Sequence, residues 1–271
     1  MKKLLTMVLC LVLGLTAMVG MVGCKEQEKY VTVGYTDYAP MNYMEDGELV
    51  GFDTELAKTV FTNLGYKVRF KLIDWSNKYV ELNGGSIDCI WNGFTSNGSD
   101  KINGVDTPRN QSVDFSYNYM QNAQCILRKS STPAVSSNAD FNEKSITFES
   151  GSAGESLADS IAETEGITVN NTGAVSQMEA ITRLNGNNAD YAIVDILLAE
   201  AIIANYPDLV INEGYEIAVE YYAIGFKLGS DLTAKVNAEL EKLAENGYLK
   251  TLATKYKLEN SVLTDYTDQK A

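Results

Sequence analysis

Small polar residues follow several predicted strands, and their hydroxyl, amide and carboxylate groups could bind a polar ligand. The first group is Asn92, Gly93 and Thr95, the second is 150–152 (Ser-Gly-Ser), and the third is Asp195. Parallel strands end at one edge of a sheet, and the helices that follow them present N–H groups there. We therefore expect these residues to gather into one polar binding site, although the pattern alone names no ligand.

The chain of 271 residues contains no histidine. A Ser-His-Asp or Cys-His catalytic group, a His-based zinc site and a His-based pH switch are therefore excluded, which removes most hydrolase mechanisms. The formal net charge of −14 argues against nucleic acid as a partner, because phosphate binding needs clustered lysine and arginine. We expect a binding protein and not an enzyme, with no cofactor.

Strand and helix patterns alternate along the elements that must position the site. The first set is strand 30–34, helix 54–64 with Asp53 as its N-cap, strand 67–73, helix 77–82 and strand 87–91. This order predicts a parallel sheet covered by helices. A second set of similar size follows, and the chain then returns through 222–226 to two final helices. Two α/β units indicate two lobes with a cleft between them.

The N-terminus has the pattern of an export signal. Lys2 and Lys3 precede an uncharged run to Val22, and Met21-Val22-Gly23-Cys24 resembles a lipobox. We expect removal of 1–23, diacylation of Cys24 and a polar tether over 24–29, because two buried acyl chains suffice for stable anchoring. An uncleaved membrane anchor and a cleaved protein without lipid are the alternatives. The protein is thus expected outside the cytoplasm, on the outer face of the cell membrane or in a periplasm.

Two further cysteines, Cys89 and Cys125, lie in apolar segments that read as strands. We expect two buried free thiols, and a disulfide stays open because an exported protein permits one. Two distant cysteines without histidine do not form a metal-ligand set, so no metal is expected.

A set of segments in a fixed order resembles a known family. The segments are Tyr38-Ala39-Pro40, Gly51-Phe52-Asp53, Asp74-Trp75, Ile87 to Thr95, Thr107-Pro108-Arg109, Val113-Asp114-Phe115-Ser116, Gly151-Ser152-Ala153, Ala189 to Asp195 and Ile217 to Lys227. Together they look like the family 3 solute-binding proteins, the polar amino-acid receptors of ABC importers. The resemblance covers nearly all of the chain after the signal.

The resemblance implies a two-lobed periplasmic-binding-protein-like fold of type II. Each lobe is then a mainly parallel sheet flanked by helices, with lobe 1 formed by 30–124 and 219–271, lobe 2 by 125–218, and two crossing strands as the hinge. It implies a monomer that captures a free amino acid by lobe closure and delivers it to an ABC permease. A ligand-sensing receptor subunit, a dehydratase-type enzyme on the same fold and a surface adhesin are the alternatives.

The resemblance also implies a set of ligand-binding residues. They are Tyr38, Trp75, Asn92, Gly93, Thr95, Arg109, Ser152, Ala153 and Asp195. A carboxylate is bound bidentately by a guanidinium and by N–H groups at a helix N-terminus. Arg109 and the amides of Ser152 and Ala153 would supply these donors. The alternatives are a solvated Arg109 and a Ser152 that only caps its helix.

An ammonium group needs an acidic partner and oxygen acceptors. Asp195, the Thr95 hydroxyl and the Gly93 carbonyl would supply these, while Trp75 and Tyr38 would form the walls of the side-chain pocket. Asp195 could instead act only as a helix N-cap. No second cation is evident, and Asp37 stays open as a contact for a cationic side chain. A polar or neutral amino acid is therefore favoured, and cystine, acidic and basic amino acids stay open.

One segment departs from the family pattern. Ser96 to Pro108 make the spacing between Thr95 and Arg109 longer than usual, and this polar segment reads as a surface loop, which chain entropy tolerates. The insert could instead move Arg109 out of reach and leave Lys101 as the substitute cation. It could also lie at the cleft mouth and alter specificity.

Overall fold

The computed structural model describes residues 28–269, so the expected signal segment and Cys24 lie outside the described residues. Within this range the helices are α1 Phe52–Asn63, α2 Lys78–Asn83, α3 Ala153–Ala162, α4 Gln177–Asn185, α5 Ile196–Ile202, α6 Leu232–Glu245 and α7 Tyr248–Lys255. The strands are β1 Lys29–Tyr35, β2 Tyr43–Glu45, β3 Glu48–Val50, β4 Tyr66–Leu72, β5 Cys89–Ile90, β6 Ser99–Ile102, β7 Val105–Pro108, β8 Asp114–Phe115, β9 Met120–Lys129, β10 Lys144–Glu149, β11 Val169–Ala174, β12 Tyr191–Asp195, β13 Leu209–Ile211, β14 Val219–Tyr222 and β15 Gly225–Phe226.

The first sheet has the strand order β4-β1-β5-β15-β8. Strands β4, β1 and β5 are parallel, and β15 runs antiparallel to both β5 and β8. Helix α1 covers this sheet with an apolar face in which Leu56, Val60 and Phe61 are fully buried. Their i, i+4, i+5 spacing places all three on one side of a 3.6-residue helix.

The second sheet has the order β11-β10-β12-β9-β13. Strand β10 is parallel to β11 and β12, whereas β9 runs antiparallel to β12 and β13. Strand β12 lies at the centre and is buried on both faces: Ala192 and Val194 pack into one apolar cluster, Tyr191 and Ile193 into another. Alternate residues of a strand point to opposite faces, so one short apolar strand serves two cores.

Two antiparallel strands join the sheets. The first residues of β9 pair with β14, with Asn122 opposite Glu220 and Ala123 opposite Val219, before β9 continues into the second sheet. The chain therefore crosses between the lobes twice, side by side. The expected two-lobed α/β fold is confirmed, and each sheet is mixed because β15 and β9 run against their parallel neighbours.

The insert lies at the surface as expected, since none of its residues is buried, but it is a hairpin and not the expected loop. Strands β6 and β7 form an antiparallel hairpin in which Asp100 lies opposite Thr107. Asn103 and Gly104, at the tip, both have positive φ angles of 52° and 78°. An Asn-Gly pair with this backbone makes the turn that matches the twist of a tight hairpin.

The expected role of Asp53 as a helix N-cap was also wrong. Gly51, with a φ angle of 121°, is the N-cap of α1, and a Cβ atom there would lie 2.1 Å from the Met41 carbonyl oxygen. The helix consequently begins at Phe52. Asp53 lies inside its first turn, where the buried carboxylate accepts hydrogen bonds from the Gly93 amide at 3.0 Å and the Tyr119 hydroxyl at 2.9 Å.

Cys89 and Cys125 are both buried and unpaired, as expected for free thiols. Burial raises the pKa of each thiol above its usual value. Over residues 28–269, no helix has the length and apolarity needed to cross a membrane.

Candidate functional site

A small, narrow cavity lies where the two lobes meet. Its lining residues come from both sheets and are Trp75, Asn92, Gly93, Thr95, Arg109, Gln124, Glu149, Ser152, Ala153, Gln177 and Asp195. Eight of the nine residues expected from the sequence therefore line one cavity. The ninth, Tyr38, packs behind Gly93, where a Cβ atom on that glycine would lie 2.7 Å from the Tyr38 ring.

Asp195 lies at the end of β12 and points into the cavity. Although it occupies the N-cap position of α5, its side chain does not cap the helix. The carboxylate instead accepts hydrogen bonds from Asn122 Nδ2 at 2.6 Å, from Gln124 Nε2 at 2.8 Å and from Gln177 Nε2. Burial raises the pKa of Asp195 above its usual value. All three donors are neutral amides, so the charge has no counterion among them.

A second carboxylate, that of Glu220 on β14, lies beside Asp195. Its Oε2 atom accepts hydrogen bonds from Gln124 at 3.0 Å, Asn122 at 3.1 Å and the Thr95 hydroxyl at 3.2 Å. Burial and the neighbouring Asp195 raise the pKa of Glu220 to about 7. Nothing local to Glu220 indicates a place in the site, because an acidic residue in a hinge strand is expected to be solvent-exposed.

Glu149, the last residue of β10, lines the cavity together with Asp195, whereas Glu220 lies beside Asp195 and does not line it. Glu149 is only 3% exposed, and its Oε1 atom is buried without a hydrogen-bond partner in the part of the chain that the structure describes. Burial, followed by the charge on Asp195, raises its pKa to about 8. The sequence feature that indicates Glu149 is a charged residue at the end of a buried strand.

Arg109 lies at the other end of the cavity, and it is neither solvated nor out of reach. Its Nε and Nη2 atoms donate to Asp100 Oδ1 at 3.0 and 2.8 Å, and Nη1 donates to the Thr95 carbonyl at 3.1 Å. The guanidinium carbon lies 5.3 Å from the Phe94 ring centroid. One edge of the guanidinium is thus already filled by a carboxylate of the chain itself.

Asp100 also contacts a second cation. Its Oδ2 atom accepts a hydrogen bond from the Tyr79 hydroxyl at 2.6 Å and lies 3.3 Å from Lys78 Nζ. Burial opposes ionisation of Asp100, but Arg109 and Lys78 outweigh it and hold its pKa below the usual value. Burial lowers the pKa of Lys78 to about 8. Neither Asp100 nor Lys78 was expected in the site.

Lys101, the substitute cation considered from the sequence, does not line the cavity. Its Nζ atom lies 3.3 Å from Asp159 and 2.8 Å from Glu163, near the end of α3. Ser156 of α3 also donates to the Ser99 carbonyl on β6 at 3.2 Å. The hairpin therefore touches the second lobe across a wider cleft that opens outside the cavity.

The N-terminus of α3 faces the cavity from the second lobe. Ser152 is its N-cap, and the hydroxyl oxygen accepts a hydrogen bond from the Glu155 amide at 3.2 Å. The Ser152 amide donates to the Glu149 carbonyl at 3.2 Å. Ala153 begins the helix, so its N–H belongs to the first turn, which has no acceptor within the helix.

The remaining expected residues shape the cavity rather than offer free polar groups. Asn92 uses its side chain on Thr36 and Asn42, with four hydrogen bonds between 2.6 and 3.0 Å. Trp75 packs edge-on against Phe94, with ring centroids 5.4 Å apart. The Tyr38 hydroxyl lies 2.7 Å from that of Tyr222, in the hinge strand.

Comparisons with known proteins agree on one group. Residues 31–259 match the family described as bacterial extracellular solute-binding proteins, family 3. The arginine-binding extracellular protein ArtP of Bacillus subtilis (strain 168) is 28% identical over 94% of this chain and 98% of its own length.

Solved structures extend the comparison. An ancestral arginine-binding protein bound to arginine superposes with a TM-score of 0.74 at 27% identity, over 84% of this chain and 98% of the other. An ancestral amino-acid-binding protein described as a precursor of cyclohexadienyl dehydratase has a TM-score of 0.72 at 24% identity, over 84% and 95%, and shows the fold alone.

Proposed function

The chain belongs to the bacterial extracellular solute-binding proteins, family 3, and from that premise we propose that it is the extracytoplasmic substrate-binding component of an ABC importer for a free amino acid. The observation that carries the proposal is the single cavity lined from both lobes by eight of the expected residues. Its relatives described above are binding proteins, and a binding role needs only the polar groups that line this cavity.

The charges of the cavity favour an amino acid with a cationic side chain. The carboxylates of Asp195 and Glu149 line the cavity and that of Glu220 lies beside Asp195; among the described residues they accept hydrogen bonds only from neutral donors or from none. Burying a carboxylate without a counterion is unfavourable, so a ligand that brings positive charge gains the most. This refines the polar or neutral ligand expected from the sequence. The arginine-binding relatives are consistent with the refinement.

In the proposed binding mode the ligand lies across the cavity. Its cationic groups contact the carboxylate end, with Thr95 and the Gly93 carbonyl as further acceptors. Its carboxylate faces the amide of Ala153 at the N-terminus of α3, beside Arg109. Trp75 and Tyr38 support the walls that exclude water.

We propose that the lobes close about β9 and β14, with 30–124 and 219–271 as lobe 1 and 125–218 as lobe 2. The pairing of Asn122 with Glu220 on these two strands supports this position for the hinge. A ligand that contacts both lobes binds the closed form more tightly and so shifts the population toward it. The closed monomer would then be recognised by an ABC permease.

We also propose that the mature protein is anchored by lipid on Cys24. This rests on the lipobox-like Met21-Val22-Gly23-Cys24 and on the polar residues that follow it. Metabolic labelling with a fatty acid tests it: label incorporated into the full-length protein and lost in Cys24→Ala supports the anchor, and unlabelled protein contradicts it.

The test of the function is thermal unfolding of residues 25–271 with each of the twenty amino acids and cystine. A ligand at a hundredfold excess over its dissociation constant adds about 2.7 kcal/mol to the unfolding free energy. We expect a clear rise in melting temperature with a basic amino acid, abolished in Asp195→Ala. A rise with uncharged polar amino acids alone would contradict the refinement, and no rise with any of the twenty amino acids or cystine would contradict the function itself.

A further inference from the structure

We propose that Glu149 is the specificity-determining residue of the site: it binds the positively charged end of the ligand's side chain, while Asp195 binds the α-ammonium group. The ligand is then a basic amino acid with its carboxylate intact. This inference rests on the proposed function, capture of a free amino acid, and it names the residue that selects the side chain.

The first step is that the Glu149 side chain is available to a ligand. It is 3% exposed and lines the cavity from the second lobe, at the end of β10. Its Oε1 atom has no hydrogen-bond partner within residues 28–269. Buried polar atoms in folded proteins are nearly always hydrogen-bonded, so a buried oxygen without a partner at the wall of a cavity indicates a donor that the ligand supplies.

The second step concerns Lys78, whose charge attracts Glu149 without forming a salt bridge to it among the described residues. Lys78 Nζ donates to the Gly151 carbonyl at 2.8 Å and lies 3.3 Å from Asp100 Oδ2. Burial, followed by the charge on Asp195, raises the pKa of Glu149 to about 8, and the attraction of Lys78 offsets this only in part. The ionised carboxylate is therefore stabilised further by a cation placed beside it.

The third step separates the role of Asp195 from that of Glu149. The Asp195 carboxylate is held by hydrogen bonds from the side-chain amides of Asn122, Gln124 and Gln177. A carboxylate fixed in this way suits the α-ammonium group, which has the same position in every amino acid. The side chain, which differs between amino acids, is left for Glu149.

The fourth step is the position of Glu149 within the cavity. Trp75, the expected wall of the side-chain pocket, follows Asp74 in the chain, and Lys78 Nζ lies 5.4 Å from its ring centroid. Both Asp74 and Lys78 act electrostatically on Glu149. Glu149 therefore lies on the Trp75 side of the cavity. A guanidinium or ammonium group at the end of a ligand side chain along Trp75 would meet the free oxygen, and a guanidinium could bind the carboxylate bidentately.

Protons compete with the ligand for Glu149. With a pKa of about 8 the carboxyl group is largely protonated at pH 6, and a cation binds only its ionised form. The charged groups that act on it are Asp195, Asp74 and Lys78, and Arg109 lines the same cavity. These groups act on any bound amino acid, so the affinity ratio between a basic amino acid and a neutral one isolates Glu149. The ratio should rise from pH 6 to pH 8.

The experiment compares basic amino acids with neutral ones of similar length. Dissociation constants of the protein are measured by calorimetry at pH 6 and pH 8 for arginine and citrulline and for lysine and norleucine. We expect at least one basic amino acid to bind at least tenfold more tightly than its neutral counterpart at pH 8. The ratio should be at least threefold smaller at pH 6.

Three variants assign this preference to one residue. Glu149→Gln keeps the shape of the side chain and should lower the ratio at pH 8 at least tenfold. Asp195→Asn should weaken both members of a pair by a similar factor, because both carry the α-ammonium group. Glu165→Gln is the matched control and should leave every constant unchanged, because Glu165 is exposed and does not line the cavity.

A preference for the basic amino acid that survives in Glu149→Gln would overturn the inference and leave the proposed function intact. Tighter binding of the neutral members by the unaltered protein would do the same. The absence of binding by every amino acid would overturn both. If Glu149→Gln fails to fold, the unaltered protein still decides the question, since a ratio that is equal at pH 6 and pH 8 would also overturn the inference.

Discussion

The two ends of the cavity handle buried charge in opposite ways. At the Arg109 end, two cations share one carboxylate, and every charge has a partner of opposite sign within 3.3 Å. At the Asp195 end, two buried carboxylates, those of Asp195 and Glu149, lie near the half-buried carboxylate of Glu220. Asp195 and Glu220 accept hydrogen bonds only from neutral groups, and Glu149 Oε1 accepts none within residues 28–269. The pKa shifts follow this contrast, since that of Asp100 is lowered and those of Asp195, Glu149 and Glu220 are raised.

This difference in charge pairing indicates which half of the site depends on a ligand. A buried ion pair with complete hydrogen bonding keeps its geometry without a ligand. A buried, unpaired charge destabilises the folded protein, and a ligand of opposite charge removes that destabilisation. The inserted hairpin completes the first half by supplying Asp100. The second half is left for a cation, and its energetics should therefore change when a ligand binds or when the pH changes.

The largest expected effect comes from removing Asp100, the anion that Arg109 and Lys78 share. Asp100→Ala leaves Arg109 and Lys78 buried without their anion, and we expect the unfolding free energy to fall by about 3–5 kcal/mol. For a chain of this length the melting temperature falls by roughly 2–4 °C for each kcal/mol. Thermal and urea unfolding measure both quantities.

The control for this change is Asp106→Ala on the neighbouring strand of the hairpin. Exposed positions without special contacts usually change stability by less than about 0.5 kcal/mol. Equal effects of Asp100→Ala and Asp106→Ala would show that the ion cluster is not formed in solution.

The next effect separates the two ends by pH. The pKa of Glu149 is about 8 in the folded protein, above its usual 4.5. The unfolded chain then releases this proton first, so the contribution of Glu149 to stability is present below about pH 4.5 and is lost as the pH rises through 8. Glu149→Gln removes this dependence. The variant should gain stability over the unaltered ligand-free protein, from near zero at pH 4.5 to the order of 3 kcal/mol at pH 8.5.

Urea unfolding at half-unit steps of pH measures this difference. Glu165→Gln, an exposed carboxylate after α3, is the control and should run parallel to the unaltered protein. The difference in unfolding free energy between Glu149→Gln and the unaltered protein should not stay constant between pH 4.5 and 8.5. A constant difference would show that the carboxylate is not buried in a charged form, and Glu149 would no longer distinguish the two ends.

A smaller effect tests the neutral donors of the carboxylate end. Gln124→Met keeps the shape of the side chain but removes hydrogen bonds to Asp195 at 2.8 Å and to Glu220 at 3.0 Å. We expect a loss of about 1–3 kcal/mol at pH 8, because each ionised acceptor loses a donor. The loss should shrink at pH 5, where Glu220, with a pKa of about 7, is protonated. Unfolding at the two pH values checks this, and a loss that is larger at pH 5 would contradict it.

The fold and the turns that line the cavity could be predicted from the sequence to a larger extent than the arrangement of buried charges. The continuous apolar run of β12 and the apolar face of α1 are local patterns, and patterns of this kind sufficed to predict the two α/β lobes. The turns that line the cavity follow strands whose order the fold dictates. Gly93, Ser152 and Asp195 were therefore predictable as neighbours.

The ion cluster and the unpaired carboxylates were not predictable in the same way. The position of Asp100 depends on the register of a hairpin, and that register depends on the positive φ angles of Asn103 and Gly104. Asn-Gly was a signal for the hairpin, but nothing local indicates that its carboxylate reaches Arg109. Lys78 and Arg109 attract Glu149 and Glu220 only from a distance, because neither carboxylate forms a salt bridge among the described residues, and only the packing of both lobes reveals this.

The smallest effect concerns the hairpin's contact with the second lobe. Lys101 pairs with Asp159 and Glu163, but its side chain is 48% exposed, so solvent screens the interaction. Lys101→Gln should lower the unfolding free energy by only about 0.2–1 kcal/mol, and 0.5 M salt should remove most of the difference. Lys250→Gln, an exposed position on α7, is the matched control. A loss above 2 kcal/mol that persists in salt would mean that this contact holds the lobes together on its own. The closed form would then be stable without a cation at the carboxylate end, which would contradict the difference between the two ends.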